Sequence, residues 1–164
     1  MVAISCSHEW IKDVKINEID FDKIRYSCNE SDTISIIGFM KNDNEIQGYP
    51  CKKGWVHFTK EKEIKLFCLS KAYTIGHTKL PSMCWIIDAR NDDFITVVFP
   101  NDTIIQGFSV RGGGGAKGVR TVFTKKGVLK SFFPSKDFIR NNVTYKRSLL
   151  NPVDILPNGS IEQN

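Results

Sequence analysis

Two similar heptapeptides organise this sequence: DNEIQGY at residues 43–49 and DTIIQGF at residues 102–108. In each, a glycine follows Ile-Gln, and glycine reaches positive backbone φ at little cost, so we interpret both segments as turns. An apolar residue stands six positions before each isoleucine, and the same frame recurs twice more. The anchor isoleucines are Ile46, Ile75, Ile105 and Ile139. A period of about 30 residues is typical of repeat architectures.

The second residue after each anchor indicates a shared turn. The four positions hold Gly48, His77, Gly107 and Asn141. Glycine adopts left-handed backbone freely, and Asn and His are enriched among the other residues found there. The column therefore predicts a left-handed turn at this point in every unit.

Pairs of β-forming runs follow the first three anchors, each pair separated by a short polar loop, which is the pattern of β-hairpins. The runs are 55–58 with 64–67, 84–87 with 94–98, and 119–123 with 128–132. One hairpin buries too little apolar surface to be stable alone, so successive hairpins must share a core. The sequence predicts an all-β protein of about four β-hairpin repeats in an extended or partly closed antiparallel sheet.

The chain is interpreted as a single domain of 164 residues with atypical ends. Residues 1–38 are predicted to cap the array with a short helix and an initial strand, because glycine is absent before Gly38. Residues 39–157 hold the hairpin repeats, and residues 158–164 are predicted to form a frayed tail.

The units IQGYPCKKGW at residues 46–55 and IQGF at residues 105–108 resemble those of uncharacterised bacterial proteins built from β-hairpin repeats. They resemble MORN-type hairpin arrays more distantly, since MORN units are shorter and more strongly patterned in Tyr and Gly. The resemblance covers about residues 39–140. It implies a fold and an interaction role, and it supplies no catalytic residue.

Composition is that of an ordinary globular domain, with 41% hydrophobic residues, 25% charged residues and a net charge of +5. This mild basicity permits an acidic partner without requiring one. Five cysteines include no Cys-x-x-Cys pair, and Cys51, Cys68 and Cys84 lie in or beside apolar runs. We interpret them as buried and reduced, and we expect a cytoplasmic protein, since neither a signal peptide nor a membrane-spanning segment is visible.

The segment RGGGGAKG at residues 111–118 is the most unusual local feature. Consecutive glycines flanked by cations can surround an anion with backbone N–H groups, so this loop is a candidate site for an anion or a partner. The candidate residues are Arg111, Gly113, Gly114, Lys117 and Arg120. The segment is not a P-loop, because no Ser or Thr follows Lys117. A flexible insertion without a ligand is the alternative interpretation.

The histidines allow an enzymatic alternative. Two imidazoles with nearby basic residues can cleave RNA, one as general base and the other as general acid. The candidate set is His57, His77, Arg120 and Thr121, centred on the glycine-rich loop. Cys51 and Cys84 add metal-ligand types to the histidines, but their spacings match no tight zinc knuckle, so we predict neither a metal nor a cofactor.

The leading prediction is a non-enzymatic module that presents a hairpin-repeat surface to another protein, because exposed sheet faces and edges are binding surfaces. The lysine-rich loops Lys60–Lys62 and Lys125–Lys126 are expected along one rim, which favours an acidic partner. Two alternatives stay open: a small RNA-cleaving or nucleotide-processing enzyme, and passive nucleic-acid binding by the basic C-terminal half.

Overall fold

The computed structural model describes residues 9–29, 32–89 and 93–163. These residues form nineteen strands and one short 3-10 turn, so the predicted all-β fold is confirmed. Eleven strands make one large antiparallel sheet, and the other eight make four separate two-stranded hairpins. The large sheet is open, with its first and last strands at opposite edges.

The strands of the large sheet lie side by side in chain order, each antiparallel to its neighbour. Labels follow the order of all strands along the chain. The eleven are β1 (Ile11–Ile16), β2 (Ile19–Asn29), β3 (Asp32–Met40), β6 (Gly54–Thr59), β7 (Ile64–Cys68), β10 (Trp85–Ile87), β11 (Phe94–Val98), β14 (Thr121–Thr124), β15 (Leu129–Phe132), β18 (Val153–Ile155) and β19 (Ile161–Gln163). The three hairpins expected from the sequence are β6–β7, β10–β11 and β14–β15, and all three are confirmed.

Four short hairpins interrupt the sheet, each inserted between two neighbouring sheet strands. They are β4 (Asn44–Ile46) with β5 (Tyr49–Cys51), β8 (Tyr73–Ile75) with β9 (Thr78–Leu80), β12 (Thr103–Ile105) with β13 (Phe108–Val110), and β16 (Phe138–Arg140) with β17 (Val143–Tyr145). Each repeat therefore contains two hairpins, one in the sheet and one outside it.

The short hairpins cover one face of the sheet, called here the inner face. The Tyr49 ring of β5 lies 4.9 Å from that of Phe67 in β7, and Phe108 of β13 lies 5.0 Å from Phe132 in β15. Phe67 and Phe132 are fully buried. This second layer forms the core, because a single sheet cannot remove its own apolar face from water.

The glutamine of the Ile-Gln-Gly motif ties the tip of a short hairpin to a sheet loop. Gln106 donates to the Gly127 carbonyl at 2.6 Å and accepts from the Leu129 N–H at 3.2 Å. Gln47 does the same with the Lys62 carbonyl at 3.0 Å and the Ile64 N–H at 2.9 Å. The side-chain amide thus donates to one backbone carbonyl and accepts from one backbone N–H, as a neighbouring strand would. This explains why the motif recurs.

The tips of the short hairpins have positive φ at three of the four predicted positions, Gly48, Gly107 and Asn141. Gln47 and Gly48 both have positive φ, as do Gln106 and Gly107, which is the requirement of a type I′ turn. In the second hairpin the positive φ belongs to Gly76, so the left-handed turn predicted at His77 is wrong. Glycine takes that position because it has no Cβ to meet the Lys126 carbonyl oxygen, which would lie 1.9 Å away.

The fourth anchor is one residue out of register. Arg140 pairs with Val143 across the turn, as Ile105 pairs with Phe108, so Arg140 and not Ile139 occupies the anchor position. Ile139 is 73% exposed, like Ile104 at 75%, because a one-residue shift turns a strand side chain to the opposite face.

Both ends of the chain differ from expectation. The described part of the predicted helical cap, from residue 9, forms β1, β2 and most of β3, and residues 1–8 lie outside the described residues. Alternating β-branched residues favour strands there. The predicted frayed tail instead contains β19, which pairs with β18 around a turn at Gly159 with positive φ.

Candidate functional site

The outer face of the sheet carries no short hairpin among the described residues. In β6, Val56 and Phe58 are buried on the inner face, whereas Trp55 and His57 alternate with them onto the outer face. The same alternation in neighbouring strands gives the outer face a mixture of half-buried apolar and polar side chains, including Ile37, Phe39, Leu66, Ile87, Thr96 and Val122. This composition is unusual for a fully hydrated surface, because such faces are normally polar.

Aromatic rings and cations converge on the outer face near the β1 edge. Register places Lys23 of β2, Phe39 of β3 and Trp55 of β6 in one row across three strands. The Trp55 ring lies 5.1 Å from that of Phe39 and 5.6 Å from that of Trp10, which precedes β1. We call Trp10, Lys23, Arg25, Phe39 and Trp55 the tryptophan cluster.

Two cations lie against the faces of the indole rings. Lys23 Nζ is 5.0 Å from the Trp10 centroid and 5.2 Å from that of Trp55, and Arg25 Cζ is 4.9 Å from Trp10. These are cation–π distances. No ion pair within the described residues involves Lys23 or Arg25, and the nearby carboxylate of Asp13 is held by Lys41 at 2.8 Å. The two cations of the cluster therefore lie against indole rings, and neither belongs to a described ion pair.

His57 lies on the same face in the next row, opposite Ile37 of β3 and Leu66 of β7. Burial lowers the pKa of its imidazole, and the positive charge of Lys65 lowers it further. His57 is consequently neutral at physiological pH and contributes a largely apolar ring to the face. His57 alternates along β6 with the buried Val56 and Phe58, so its ring lies away from the core and among half-buried apolar side chains.

The glycine-rich loop folds into a compact turn, with a 3-10 turn at Gly115–Lys117. Gly113, Gly114 and Gly115 all have positive φ. Several N–H groups of the loop already donate internally: Gly113 to the Phe99 carbonyl, Val119 to that of Gly113, and Gly112 to Asp102 Oδ1. Those groups are not free to surround a phosphate. The loop lies beside Trp85, whose Nε1 would be 3.9 Å from a Cβ at Gly115.

The cationic candidates of the loop separate by burial. Arg111 is only 9% exposed, while Lys117 and Arg120 are exposed and border an open cleft that Gly113 and Gly114 also line. Four of the five candidate residues therefore line one cleft, whereas Arg111 lines a second cleft that shares Leu149 with the first.

The four residues of the enzymatic alternative do not converge. His57 is on the outer face, and His77 is at the tip of the second short hairpin, where its N–H donates to the Lys126 carbonyl. Thr121 is fully buried, whereas Arg120 is exposed at the cleft beside the glycine-rich loop, a cleft lined by neither histidine. A general acid and a general base must both reach one substrate, so this geometry does not assemble such a site.

The three cysteines whose side chains the structure describes behave as small apolar residues. Cys51, Cys68 and Cys84 are buried free thiols. Burial raises the pKa of Cys51 and of Cys84 to about 12, so neither forms a nucleophilic thiolate near neutral pH. Across the described residues, no three Cys, His, Asp or Glu side chains are placed to hold a metal ion.

An apolar cavity of about 210 Å³ lies at the β1 end of the inner face. Its lining is mostly Ile and Phe, including Ile16, Phe21, Ile24 and Phe58. The cavity adjoins β4–β5, the first short hairpin. No short hairpin precedes it among the described strands. We interpret it as incomplete packing at the end of the array.

Comparison with family models, curated proteins and solved structures finds no match. The resemblance to hairpin-repeat and MORN-type arrays therefore stays a prediction. In the described part of the chain, no helix has the length and apolar character needed to cross a membrane.

The tryptophan cluster was missed by sequence reasoning. Five strands, β1 to β5, separate Trp10 from Trp55 along the chain, and strand pairing alone brings the two residues together. The available signal was the alternation of Trp55 and His57 with Val56 and Phe58, which places a tryptophan on the face away from the core.

Proposed function

We propose that this protein is a non-enzymatic interaction module that binds an acidic segment of another protein on its tryptophan cluster. The observation that carries the proposal is the row of Lys23, Phe39 and Trp55 with Trp10, where cations lie against the faces of two partly exposed indoles. Trp and Arg are enriched among residues that dominate binding energy, and exposed aromatic surface is a feature of interfaces.

Charge supports an acidic occupant. Lys23 and Arg25 have no ionic partner among the described residues, and Lys12 pairs with Lys23 across the neighbouring strands. Cation–π contact engages the face of a guanidinium and leaves its in-plane N–H donors directed elsewhere. A carboxylate that approaches in this plane gains charge-assisted hydrogen bonds while an apolar neighbour packs on the indoles.

The sheet face is favoured over the sheet edge. β1 is the edge strand next to the cluster, and Asp13 interrupts its extended backbone with a φ of 51°. The same strand carries Lys12 and Lys15, and lysines and irregular backbone on an edge strand are devices by which proteins prevent edge-to-edge association. Added-strand pairing at β1 is therefore the weaker route.

Selection of peptides from a random display library on the purified chain tests this proposal. We expect enrichment of Asp- and Glu-containing peptides, and Trp55→Ala should weaken a selected peptide by about ten-fold or more, since a central aromatic contributes more than about 1.4 kcal/mol. Phe94→Ala is the matched control, because Phe94 and Trp55 are both 38% exposed. Lys23→Gln should also weaken binding without loss of the fold by circular dichroism.

The proposal would be overturned if the selected peptides bound Trp55→Ala and Lys23→Gln as tightly as they bind the unmodified chain. Single-stranded oligothymidylate is the competing probe, because bases also stack on exposed indoles. Tight, salt-sensitive binding of this oligonucleotide, lost in Trp55→Ala and unmatched by any acidic peptide, would replace the protein partner with a nucleic acid.

A further inference from the structure

The strongest unexplained group away from the tryptophan cluster is the side chain of Arg111. Arg111 follows β13, and its backbone N–H donates to the Phe133 carbonyl at 2.8 Å. The residue is 9% exposed, and its Nε is buried without a hydrogen-bond partner. Buried guanidinium groups are normally paired, because an unpaired buried charge is strongly unfavourable.

A cleft of about 540 Å³ lies against this arginine. It is lined by Arg111, Arg147, Ser148 and the segment 149–151. Leu149 also borders the adjoining cleft, where Lys117 and Arg120 lie. The combined lining therefore has four cationic side chains and no Asp or Glu.

Two carboxylates accept hydrogen bonds from residues next to the cleft, and neither is paired with Arg111. Asp137 accepts from the Arg147 N–H at 2.7 Å and from Lys146 Nζ at 3.1 Å, and these contacts lower its pKa. Asp102 accepts from the Gly112 N–H at 3.0 Å. Asp137 offsets part of the charge of Arg147, but no described ion pair includes Arg111.

Ser148 adds a directed hydroxyl. Its Oγ accepts from the N–H groups of Leu150 at 3.1 Å and Asn151 at 2.8 Å, which leaves its own proton to donate. Leu149 and Leu150 are 63% and 88% exposed beside the cations. Cations, a hydroxyl donor and exposed leucines are the groups that an oxyanion with an apolar substituent requires.

We propose that the cleft formed by Arg111, Arg147 and Ser148 binds an oxyanion, a phosphate or a carboxylate, with Arg111 as its anchor. The guanidinium forms bidentate bonds to either group. The site differs from a backbone phosphate nest, because side chains supply the donors while several N–H groups of the loop donate internally.

Titration of the full chain, followed by backbone amide NMR, tests this site. The probes are inorganic phosphate, N-acetyl-leucine and the uncharged N-acetyl-leucinamide. We expect saturable shifts confined to residues around 111–120 and 147–151 with one or both anions and none with the amide. Stronger binding of N-acetyl-leucine than of phosphate identifies a carboxylate ligand, and the reverse order identifies a phosphate ligand.

Three arginine variants supply the controls. Arg111→Gln should weaken anion binding by about ten-fold or more, and Arg147→Gln, at an exposed position, by about three- to ten-fold. Arg140→Gln removes the same charge at the tip of the fourth short hairpin and should leave binding unchanged. If Arg111→Gln does not fold, the anion affinity of Arg147→Gln tests the proposal in its place. Absence of saturable shifts, or equal binding by Arg147→Gln and Arg140→Gln, overturns the proposal.

Discussion

The two faces of the large sheet are built from the same strands and have different surroundings. On the inner face, four short hairpins cover the sheet and bury Phe67, Phe99, Phe123 and Phe132 completely. On the outer face, Trp55 remains 38% exposed, and cations lie against its ring and that of Trp10. The comparison separates residues that stabilise the fold from residues that are available to a partner, and it predicts which substitutions affect stability.

The largest difference should come from removing one ring from each face. Phe123→Ala should lower the free energy of unfolding by about 3–5 kcal/mol, because it leaves a cavity in a packed core. Trp55→Ala should cost about 1 kcal/mol, because its ring is partly hydrated already. Urea denaturation of both variants measures the difference, and equal losses would show that the outer face is as tightly packed as the inner one.

A smaller effect is expected where the tips of the short hairpins meet the sheet loops. Gly76→Ala should cost about 2–4 kcal/mol, since its Cβ would lie 1.9 Å from the Lys126 carbonyl oxygen. Gly48→Ala should cost about 1 kcal/mol, because no atom lies within 4 Å of its Cβ and only the positive φ opposes it. Thermal melts of the pair provide the measurement. A Gly48→Ala variant that is less stable than Gly76→Ala would contradict the close contact between Gly76 and the Lys126 carbonyl.

The motif glutamines should contribute less than the packed glycine. Gln106→Ala removes hydrogen bonds to the Gly127 carbonyl, the Leu129 N–H and Thr78 Oγ1, and should cost about 1–2 kcal/mol. Gln47→Ala removes two such bonds, to Lys62 and Ile64, and should cost somewhat less. Chemical denaturation quantifies both, and amide exchange at Leu129 in Gln106→Ala should become faster. Unchanged exchange would mean that the side chain does not hold the loop.

The smallest effect concerns pH on the outer face. Because burial holds the pKa of His57 below 6.5, the unfolded chain takes up the proton first as pH falls. Stability contributed by the neutral imidazole is complete above pH 6.5 and declines as pH falls toward the folded pKa. His57→Gln should flatten this part of the stability curve. Asp13 and Asp137, whose pKa values are held below 3.8, change protonation only at lower pH. They therefore do not contribute to the stability change measured for His57. If the stability of His57→Gln declined in the same way as pH falls, a group other than His57 would be the cause.

Local pattern was sufficient for three of the hairpins in the large sheet. The runs in β6–β7, β10–β11 and β14–β15 alternate or concentrate β-branched and aromatic residues between polar loops, and each was located within about two residues. The fourth repeat was misplaced because Ile139 matched the anchor by residue type, although Arg140 holds that position. An exposed isoleucine and a buried one look alike in sequence.

The candidate sites were predicted less completely. The loop cations Arg111, Lys117 and Arg120 were identified because glycines and bases are adjacent in the chain. Arg147 and Ser148 join them in the structure from beyond the fourth short hairpin, and sequence offers no signal for this approach. The tryptophan cluster likewise depends on pairing between β1, β2, β3 and β6.

The amino-acid sequence by itself determined that this chain folds as repeated antiparallel hairpins, because period-two alternation and turn-forming residues act over a few neighbouring positions. The tertiary structure alone decided that the short hairpins cover one face, that Trp10 meets Trp55, and that Arg111 is buried beside Arg147. Those arrangements depend on which strands lie side by side and on the face that each presents. Both are set by burial summed over the whole sheet, which no local segment encodes.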